Sequence, residues 1–580
     1  MGCLGAILGG ALLVLATLVP GAAAARSLLT RADLVHGHDP APVPLVAFVP
    51  DTTAAPPGHR FEGSLRLRGG VHSRVVSRDP AFMTAADVAL ARTFPQDFDY
   101  EFVQDGAALI PVRRGALPGS HPWWEFILEP GRVWDEPGDG GYTRAVVPLS
   151  LEEKNANCTH HGLLTFLFRD GEVTQAVFQV SGETCRYLHL DLWGALEAHY
   201  DAHPVASREA VVAAYRAEVA ARLPTAPEAQ LAHDYPALDI AHLSLGAAAG
   251  RTLHGIVVDG KHYVSDCPTR AGDYPYCEVL DLPSYSTAKS VVGALALMRL
   301  QALTQAAKDQ PVRDWVKAAA CQGPAWHGVS FADLLDMATG NYASALFEAD
   351  EDAPSTEGLF LPLDHAHKLA FACGFYPHRV APGALWVYHT SDTYLLGSAL
   401  QAYFRSLPGR SGQDFYRDLL VAEIFRPLRL SPVLAVTRRT YDAAAQPFTG
   451  WGLVYHRDDV ARLARFVLLE HGRVRGAAVL DPAMLRRALQ QDPGARGLPV
   501  EGLAGFRYQY GFWARNVQNL LGCGHEVWVP FMSGFGGISV VLFPNGVIYY
   551  NFADDGQVSS FDWGPVAGEA QKLKNMCGGS

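Results

Sequence analysis

The stretch that decides the fold of the second half of the chain is residues 282–292, LPSYSTAKSVV, which continues as an apolar run to Leu300. Within it, Ser286 and Lys289 stand three residues apart where the helical pattern begins. Residues i and i+3 of a helix share one face, so the two side chains are neighbours. A serine hydroxyl becomes a nucleophile only when a neighbouring group accepts its proton, and a desolvated lysine can do this. The pair therefore predicts a nucleophile at a helix N-terminus, where backbone N–H groups can stabilise an oxyanion.

Two further segments follow in a fixed order. Residues 331–340 read FADLLDMATG, and residues 386–397 read WVYHTSDTYLLG, which places Tyr388 102 residues after Ser286. Together with S-x-x-K, they resemble the serine β-lactamase and penicillin-binding-protein superfamily, in the branch of class C enzymes, esterases and 6-aminohexanoate-dimer hydrolases. The resemblance covers about residues 240 to 560.

The resemblance implies an α+β fold for residues 236–580, with an antiparallel sheet covered by helices and a mainly helical subdomain. It implies that Ser286 is the acylated nucleophile, Lys289 its proton partner and Tyr388 a general base or proton shuttle. Thr390 stands where the family has Asn or Ser, and its hydroxyl retains a hydrogen-bonding role. His389 is interpreted as a surface or packing residue. No metal and no organic cofactor are expected.

The third element of the family departs from its pattern here. Residues 531–544 read FMSGFGGISVVLFP, with no Lys or His where the family has one. We expect this strand to contact substrate or supply the second oxyanion donor, with the candidates Phe535, Gly536, Gly537 and Ile538. The missing cation disfavours substrates that carry a carboxylate, such as β-lactams and cell-wall D-Ala-D-Ala peptides, unless Arg515 or His525 replaces it.

Three functions are consistent with these residues. The first is an exported serine hydrolase that cleaves a small ester or amide through a Ser286 acyl-enzyme. The second is a β-lactamase or DD-carboxypeptidase, and the third is a catalytically silent binding or scaffold protein with the same fold.

The N-terminal half has a different pattern of residues and matches no family motif. Apolar and aromatic runs alternate with turns and predict strands near 44–49, 100–103, 123–128, 144–149, 162–168 and 173–180. The last two flank an Asp-Gly turn, which indicates a hairpin. A helical pattern over 206–223 and prolines at 224 and 227 predict that a β-rich module, residues 27–230, ends in a helical linker. Its role stays open between an accessory binding module and a structural shield.

The first 25 residues predict an export signal. An apolar run from Leu4 to Val19 precedes an Ala-rich stretch that ends before Arg26, as in a signal peptide. An uncleaved anchor is the alternative, because the segment before the run has no Lys or Arg. The position of Cys3 and the alanine at position 6 do not fit lipidation signals. The mature protein is predicted to be secreted or periplasmic, with no stable membrane insertion.

Eight cysteines remain once the leader is removed, an even number that suggests disulfides in an exported protein. Pairing of neighbours is one of many connectivities, and buried free thiols are the alternative. The candidates are Cys158, Cys185, Cys267, Cys277, Cys321, Cys373, Cys523 and Cys577. Their spacing, without a CxxC pair, does not predict a zinc site. Asn157 opens an N-glycosylation sequon.

Charge limits the partners. The 580 residues include 47 Lys and Arg against 59 Asp and Glu, so the formal charge is −12. Because nucleic-acid affinity comes mostly from basic residues that neutralise phosphates, a nucleic-acid partner is not expected. An acidic segment, Glu348 with Asp350, Glu351 and Asp352, does not have the spacing of an EF-hand and is predicted to be a solvated loop. The expected partner is a small ester or amide substrate, and the oligomeric state stays open.

Overall fold

The computed structural model describes residues 26–35, 41–246, 250–554 and 558–578. The predicted signal peptide, residues 1–25, lies outside the described residues. Within them, no helix is both long and apolar enough to span a membrane.

Most of the N-terminal strands form one antiparallel sheet that closes on itself. Its strands are β1 (Glu62–Arg68), β2 (His72–Arg78), β3 (Phe98–Asp105), β4 (Ala108–Pro111), β5 (Trp124–Leu128), β6 (Gly131–Asp135), β7 (Thr143–Glu153), β8 (Thr159–Arg169), β9 (Glu172–Val173), β10 (Ala176–Thr184) and β11 (Leu188–Ala202). The ring runs β1-β3-β4-β6-β7-β8-β10-β11 and returns to β1. The result is an eight-stranded antiparallel barrel in which β2, β5 and β9 are additional strands at its wall.

Side chains fill the barrel interior. Successive residues of a strand point to opposite faces. In β8, the side chains that face into the barrel and those that face out of it belong to two different apolar clusters. Leu164, Phe166 and Phe168 belong to an apolar cluster inside the barrel, whereas Leu163 and Leu167 belong to the cluster shared with the rest of the chain. Eight strands leave just enough room for side chains to pack, so this barrel has an aromatic core.

A second sheet of nine strands follows, in the order β12-β14-β13-β26-β25-β24-β23-β22-β21. All its pairings are antiparallel except that of β12 with β14. Its strands are β12 (Thr225–Pro227), β13 (Arg251–Val258), β14 (Lys261–Val264), β21 (Leu498–Pro499), β22 (Phe506–Gln509), β23 (Phe512–Asn516), β24 (Trp528–Gly534), β25 (Ile538–Leu542) and β26 (Ile548–Ala553). Short two-stranded pairs are β15 (Pro268–Thr269) with β16 (Gly272–Asp273), β17 (Leu282–Pro283) with β18 (Val454–Tyr455), and β19 (Arg473–Val474) with β20 (Ala477–Ala478).

Helices pack around this sheet. Most of them belong to the part of the chain between β14 and β21. The α-helices are α1 (Arg31–Val35), α2 (Ala85–Ala91), α3 (Arg208–Ala221), α4 (Glu228–Asp234), α5 (Leu295–Thr304), α6 (Val312–Trp315), α7 (Phe331–Leu335), α8 (Glu357–Phe360), α9 (His365–Gly374), α10 (Thr390–Ser406), α11 (Arg457–Leu468), α12 (Pro482–Ala488), α13 (Gln518–Leu521) and α14 (Gly564–Leu573). Two π-helices span Lys289–Ala294 and Phe415–Phe425. Short 3-10 helices span Leu45–Phe48, Pro137–Asp139, Ile240–Ser244, Cys277–Val279, Tyr285–Thr287, Ala307–Asp309, Ala319–Gln322, Pro324–Trp326, Pro354–Thr356 and Pro432–Ala435. The α+β fold predicted from the resemblance is confirmed.

Two local predictions are wrong. The apolar run at 44–49 forms the 3-10 helix Leu45–Phe48, because an apolar run with both faces buried carries no periodicity that separates strand from helix. Residues 225–227, expected in the linker, form β12 and pair with β14, so this segment already belongs to the second sheet.

The barrel shares a continuous core with the rest of the chain. Its outward-facing Val146, Leu163 and Val177 lie in the same apolar cluster as Leu282, Val292 and Leu295 around the S-x-x-K helix. Four disulfides pair neighbouring cysteines along the chain: Cys158–Cys185, Cys267–Cys277, Cys321–Cys373 and Cys523–Cys577. Four disulfides suggest folding in an oxidising compartment.

Candidate active site

Ser286 lies in a tight turn ahead of the helical run. Residues Tyr285–Thr287 form a 3-10 turn, which passes through the π-helix Lys289–Ala294 into α5. Ser286 is partly exposed, while its neighbours on both sides are buried. Tyr285 has φ +40°, a left-handed conformation that costs energy for a bulky residue and that the surroundings must hold in place. Ser286 is therefore the partly exposed residue of a turn whose other residues are buried.

Lys289 joins two hydroxyl groups. Its Nζ lies 2.9 Å from Ser286 Oγ and 2.8 Å from Thr390 Oγ1, and its side chain is buried. Burial lowers the pKa of Lys289 to about 8, although the carboxylates of Glu351 and Glu348 act in the opposite direction. A substantial fraction of this amine is therefore neutral near pH 8 and can accept the proton of Ser286.

Tyr388 lies against the same amine. Lys289 Nζ is 4.6 Å from the centroid of its ring, and the ring stacks on Trp513 at 5.9 Å. Burial raises the pKa of the Tyr388 hydroxyl well above its usual value and the charge of Glu351 adds to this, while a hydrogen bond with Ser286 opposes it. A tyrosine in this state keeps its proton at neutral pH, which suits a proton donor better than a phenolate base.

The acidic segment is not a solvated loop as a whole, and that prediction is wrong for three of its four residues. Glu351 accepts hydrogen bonds from the backbone N–H of Thr390 at 2.9 Å and from its hydroxyl. Glu348 is partly buried, and this burial, together with the charge of Asp352 and Glu351, raises its pKa to about 7. Only Asp352 is exposed. A chain of polar contacts thus runs from Ser286 through Lys289 and Thr390 to Glu351.

His389 fixes this acidic segment in place. Its Nε2 lies 2.9 Å from Asp350 Oδ2, and its ring stacks on Tyr376 at 4.1 Å. Burial disfavours the charged imidazole, but Asp350 and Asp392 outweigh it and raise the pKa of His389 to about 9. Asp350 also accepts the backbone N–H groups of residues 343 and 344. His389 is therefore a buried ion-pair partner rather than a surface residue.

The predicted third element forms the turn between β24 and β25. Gly536 and Gly537 have φ of +85° and +95°, and a Cβ on Gly537 would lie 2.3 Å from the carbonyl oxygen of Val558. Glycine is thus required here by backbone conformation and close packing. Phe535 is 39% exposed at the tip, and Ile538 begins β25. The strand passes close to the nucleophile, since a Cβ on Gly534 would lie 3.0 Å from the carbonyl oxygen of Ser284.

Of the two cations proposed as replacements for the missing one, His525 is exposed in the loop before β24, and Arg515 already has partners. Arg515 donates to the carbonyl oxygen of Phe561 and lies over the ring of Trp563. Arg186, on the barrel, does approach the turn, because its Cβ is 3.5 Å from where a Cβ of Gly536 would be. Its guanidinium is 3.8 Å from Asp79, so an acidic partner already faces its charge.

The barrel contributes a residue that bonds to the backbone directly before Ser286. Asn157, in the turn between β7 and β8, accepts hydrogen bonds through Oδ1 from Tyr285 N at 2.8 Å, Gly452 N at 2.8 Å and Ser284 Oγ at 3.1 Å. Its Nδ2 donates to Glu152 and to the carbonyl oxygen of Leu453. Asn157 is 1% exposed, so the amide of this sequon is not accessible for glycosylation in the folded chain.

Two groups of side chains have residue types that ligate metals: Glu129 with Asp281 and His456, and Glu183 with His189 and Asp554. In the first, burial disfavours a charged His456, but the carboxylates raise its pKa to about 10, and Arg114 bonds to Glu129. In the second, Arg270 bonds to both oxygens of Glu183. Each group already pairs carboxylates with cations, and each connects the barrel to the rest of the chain.

Residues 282–549 match the family model described as Beta-lactamase. These residues form a domain of the Beta-lactamase family. Members of this family are serine hydrolases that act on esters and amides. The matched range contains Ser286, Lys289 and Tyr388, and it leaves the barrel outside the β-lactamase domain.

Several solved structures are similar to this chain at low sequence identity. A D-stereospecific amidohydrolase from Streptomyces sp. is 17% identical, with 56% of this chain and 97% of that chain covered at a TM-score of 0.40. An octameric penicillin-binding protein homologue from Pyrococcus abyssi is 18% identical, with 56% and 74% covered at 0.39. A class C β-lactamase mutant is 15% identical, with 60% and 97% covered at 0.40. No curated protein matches the sequence of this chain.

Sequence reasoning did not find Glu348, Glu351 and Asn157. The run of acidic residues is evident in the sequence, but it is more than 60 residues from Ser286, so the sequence does not indicate that Glu351 is linked to Lys289 through Thr390. Asn157 gave a misleading signal, since its sequon suggested an exposed residue.

Proposed function

We propose that this chain is an exported serine hydrolase that cleaves a small ester or amide through an acyl-enzyme on Ser286. The observation that carries the proposal is the contact of 2.9 Å between Lys289 Nζ and Ser286 Oγ, made by a lysine whose pKa burial lowers to about 8. A nucleophile beside a base that is poised near the working pH is what acyl transfer requires.

In the proposed acylation step, the neutral amine of Lys289 accepts the proton of Ser286 as Oγ attacks the substrate carbonyl carbon. The carbonyl oxygen becomes an oxyanion, which backbone N–H groups of Ser286 and of the 535–538 turn would stabilise. The bond to the leaving alcohol or amine then breaks. The leaving group takes a proton from the hydroxyl of Tyr388, which Lys289 reprotonates.

In the proposed deacylation step, water attacks the acyl-enzyme. The neutral Lys289 accepts a proton from the water, directly or through Tyr388, as the water oxygen adds to the acyl carbon. The bond between that carbon and Ser286 Oγ then breaks, Lys289 returns the proton to Oγ, and the carboxylic acid is released. Thr390 orients Lys289 through the contact of 2.8 Å, and Glu351 in turn holds Thr390.

The proposed substrate is uncharged at the end that meets β24, since the turn at 535–538 lacks the Lys or His of the family and Arg186 faces Asp79. Export is proposed from the leader-like first 25 residues together with the four disulfides. Secretion and a periplasmic location are both compatible with them.

The experiment that tests the proposal is intact-mass labelling with a fluorophosphonate, followed by turnover of p-nitrophenyl acetate and nitrocefin. Ser286→Ala is expected to abolish labelling and to lower ester turnover by at least about 10³-fold. The matched control is Ser290→Ala, on the same helical run, whose hydroxyl donates to the carbonyl oxygen of Gly511. This control is expected to retain the label.

The outcomes separate the three candidate functions. Ester turnover without nitrocefin cleavage supports the proposal. Efficient nitrocefin cleavage would instead favour a β-lactamase, and wild-type protein that takes no label would favour a silent scaffold.

A further inference from the structure

Four aromatic rings from both parts of the chain contact one another in a row that ends at Tyr285, the residue before Ser286. Phe82 and Tyr187 come from the barrel, whereas Tyr285 and Phe535 come from the β-lactamase domain. We call these four residues the aromatic rim. Phe82 stacks on Tyr187 with ring centroids 5.5 Å apart, Phe82 meets Phe535 at 5.5 Å, and Phe535 meets Tyr285 at 5.8 Å.

Burial divides the aromatic rim into a base and an exposed surface. Tyr187 and Tyr285 are 8% and 9% exposed, whereas Phe82 and Phe535 are 53% and 39% exposed. The hydroxyl of Tyr187 donates to Glu153, which fixes the base of the rim. Two large apolar rings held in contact at the surface mark a place where an apolar ligand can be buried.

The position of the rim identifies which part of a substrate it meets. Tyr285 directly precedes Ser286, and Phe535 is at the tip of the turn proposed to stabilise the oxyanion. The proton for the leaving group comes from Tyr388 and Lys289, so the leaving group lies on their side of Ser286. In this mechanism the acyl group is a different substituent of the reacting carbon, and Tyr285, which directly precedes Ser286, connects the aromatic rim to the turn that carries the nucleophile.

We propose that the aromatic rim is the acyl-binding subsite, and that it selects esters or amides whose acyl group is a medium-length alkyl chain or an aromatic ring. This inference rests on the proposed function. It gives the barrel a direct part in substrate selection, because Phe82 provides the more exposed of the two surface rings.

The test is a series of p-nitrophenyl esters with acetyl, butyryl and octanoyl groups. For wild-type protein, kcat/KM is expected to rise with chain length, because each buried methylene adds to transition-state binding. In Phe82→Ala and Phe535→Ala, the ratio of kcat/KM for octanoate to that for acetate is expected to fall by about tenfold. The matched control is Leu520→Ala on α13, 52% exposed and outside the rim, which is expected to leave the ratio unchanged.

One further variant and one measurement guard against misfolding. Phe82→Leu keeps an apolar side chain and is expected to restore much of the ratio, and thermal unfolding of each variant checks that the barrel is intact. Ser286-dependent hydrolysis with a flat chain-length series, or with a ratio that Phe82→Ala does not change, overturns the subsite but leaves the proposed function standing. Absence of hydrolysis of every ester overturns the subsite, and absence of Ser286 labelling by the fluorophosphonate as well overturns the proposed function.

Discussion

The barrel and the β-lactamase domain differ in how far each can be recognised from short motifs in the sequence. The β-lactamase domain has the short motif S-x-x-K, whose two side chains contact each other one helical turn apart and whose proposed chemistry needs those two residue types. The barrel has no such motif, and its closure depends on pairing of strands that are distant in sequence, such as β1 with β11. Yet Asn157 of the barrel contacts the residue next to the nucleophile. A region without a recognisable motif can therefore still be part of an active site.

The largest expected effect belongs to the β-lactamase domain alone. Lys289→Met is expected to lower kcat/KM by at least about 10³-fold, because Lys289 is the group proposed to accept the proton of Ser286. Its free energy of unfolding should not fall, because an ammonium group no longer has to be buried. Steady-state kinetics and denaturant unfolding measure both, with Lys308→Met, a partly exposed lysine that pairs with Asp309, as control. A loss below tenfold would contradict this role.

A smaller effect, on both activity and stability, is expected from the barrel. Asn157→Ala leaves the buried N–H groups of Tyr285 and Gly452 without an acceptor. We expect a loss of about 2–4 kcal/mol in the free energy of unfolding, and a fall of about 10–100-fold in kcat with KM nearly unchanged.

The control for Asn157→Ala is Gln96→Ala, whose amide also bonds to backbone atoms, but those of Gly69 and Phe94 within the barrel. It should cost stability without lowering kcat. Equal kcat losses in the two variants would mean that Asn157 acts only through global stability.

The smallest expected effect concerns pH. Because Lys289 must be neutral to act as a base and its pKa is about 8, kcat/KM should rise with pH and level off above that value. Glu348 raises the pKa of Lys289, so Glu348→Gln should move the rising limb to lower pH, by less than about one unit. A pH profile from about 6 to 10 measures the shift, with exposed Glu357→Gln as control. A shift to higher pH would exclude this electrostatic coupling.

The sequence predicted the parts of the site that depend on local spacing. Ser286 and Lys289 could be paired because they are one helical turn apart, and the hairpin around Asp170-Gly171 because its turn requires those residues. The apolar run at 44–49 could not be assigned, because both of its faces are buried. Glu351 and Asn157 could not be placed, since their contacts join residues 39 and 128 positions apart.

The hydrogen bonds of Asn157 also impose an order on synthesis. The barrel strands, residues 62–202, are complete before residue 286 is made, because chains are synthesised from the N-terminus. The nucleophile turn thus emerges when the acceptor for Tyr285 N is already present, and N-terminal units generally fold first. The barrel then acts as a template on which the left-handed conformation of Tyr285 is set, and a chain that begins after the barrel would have to form this turn without it.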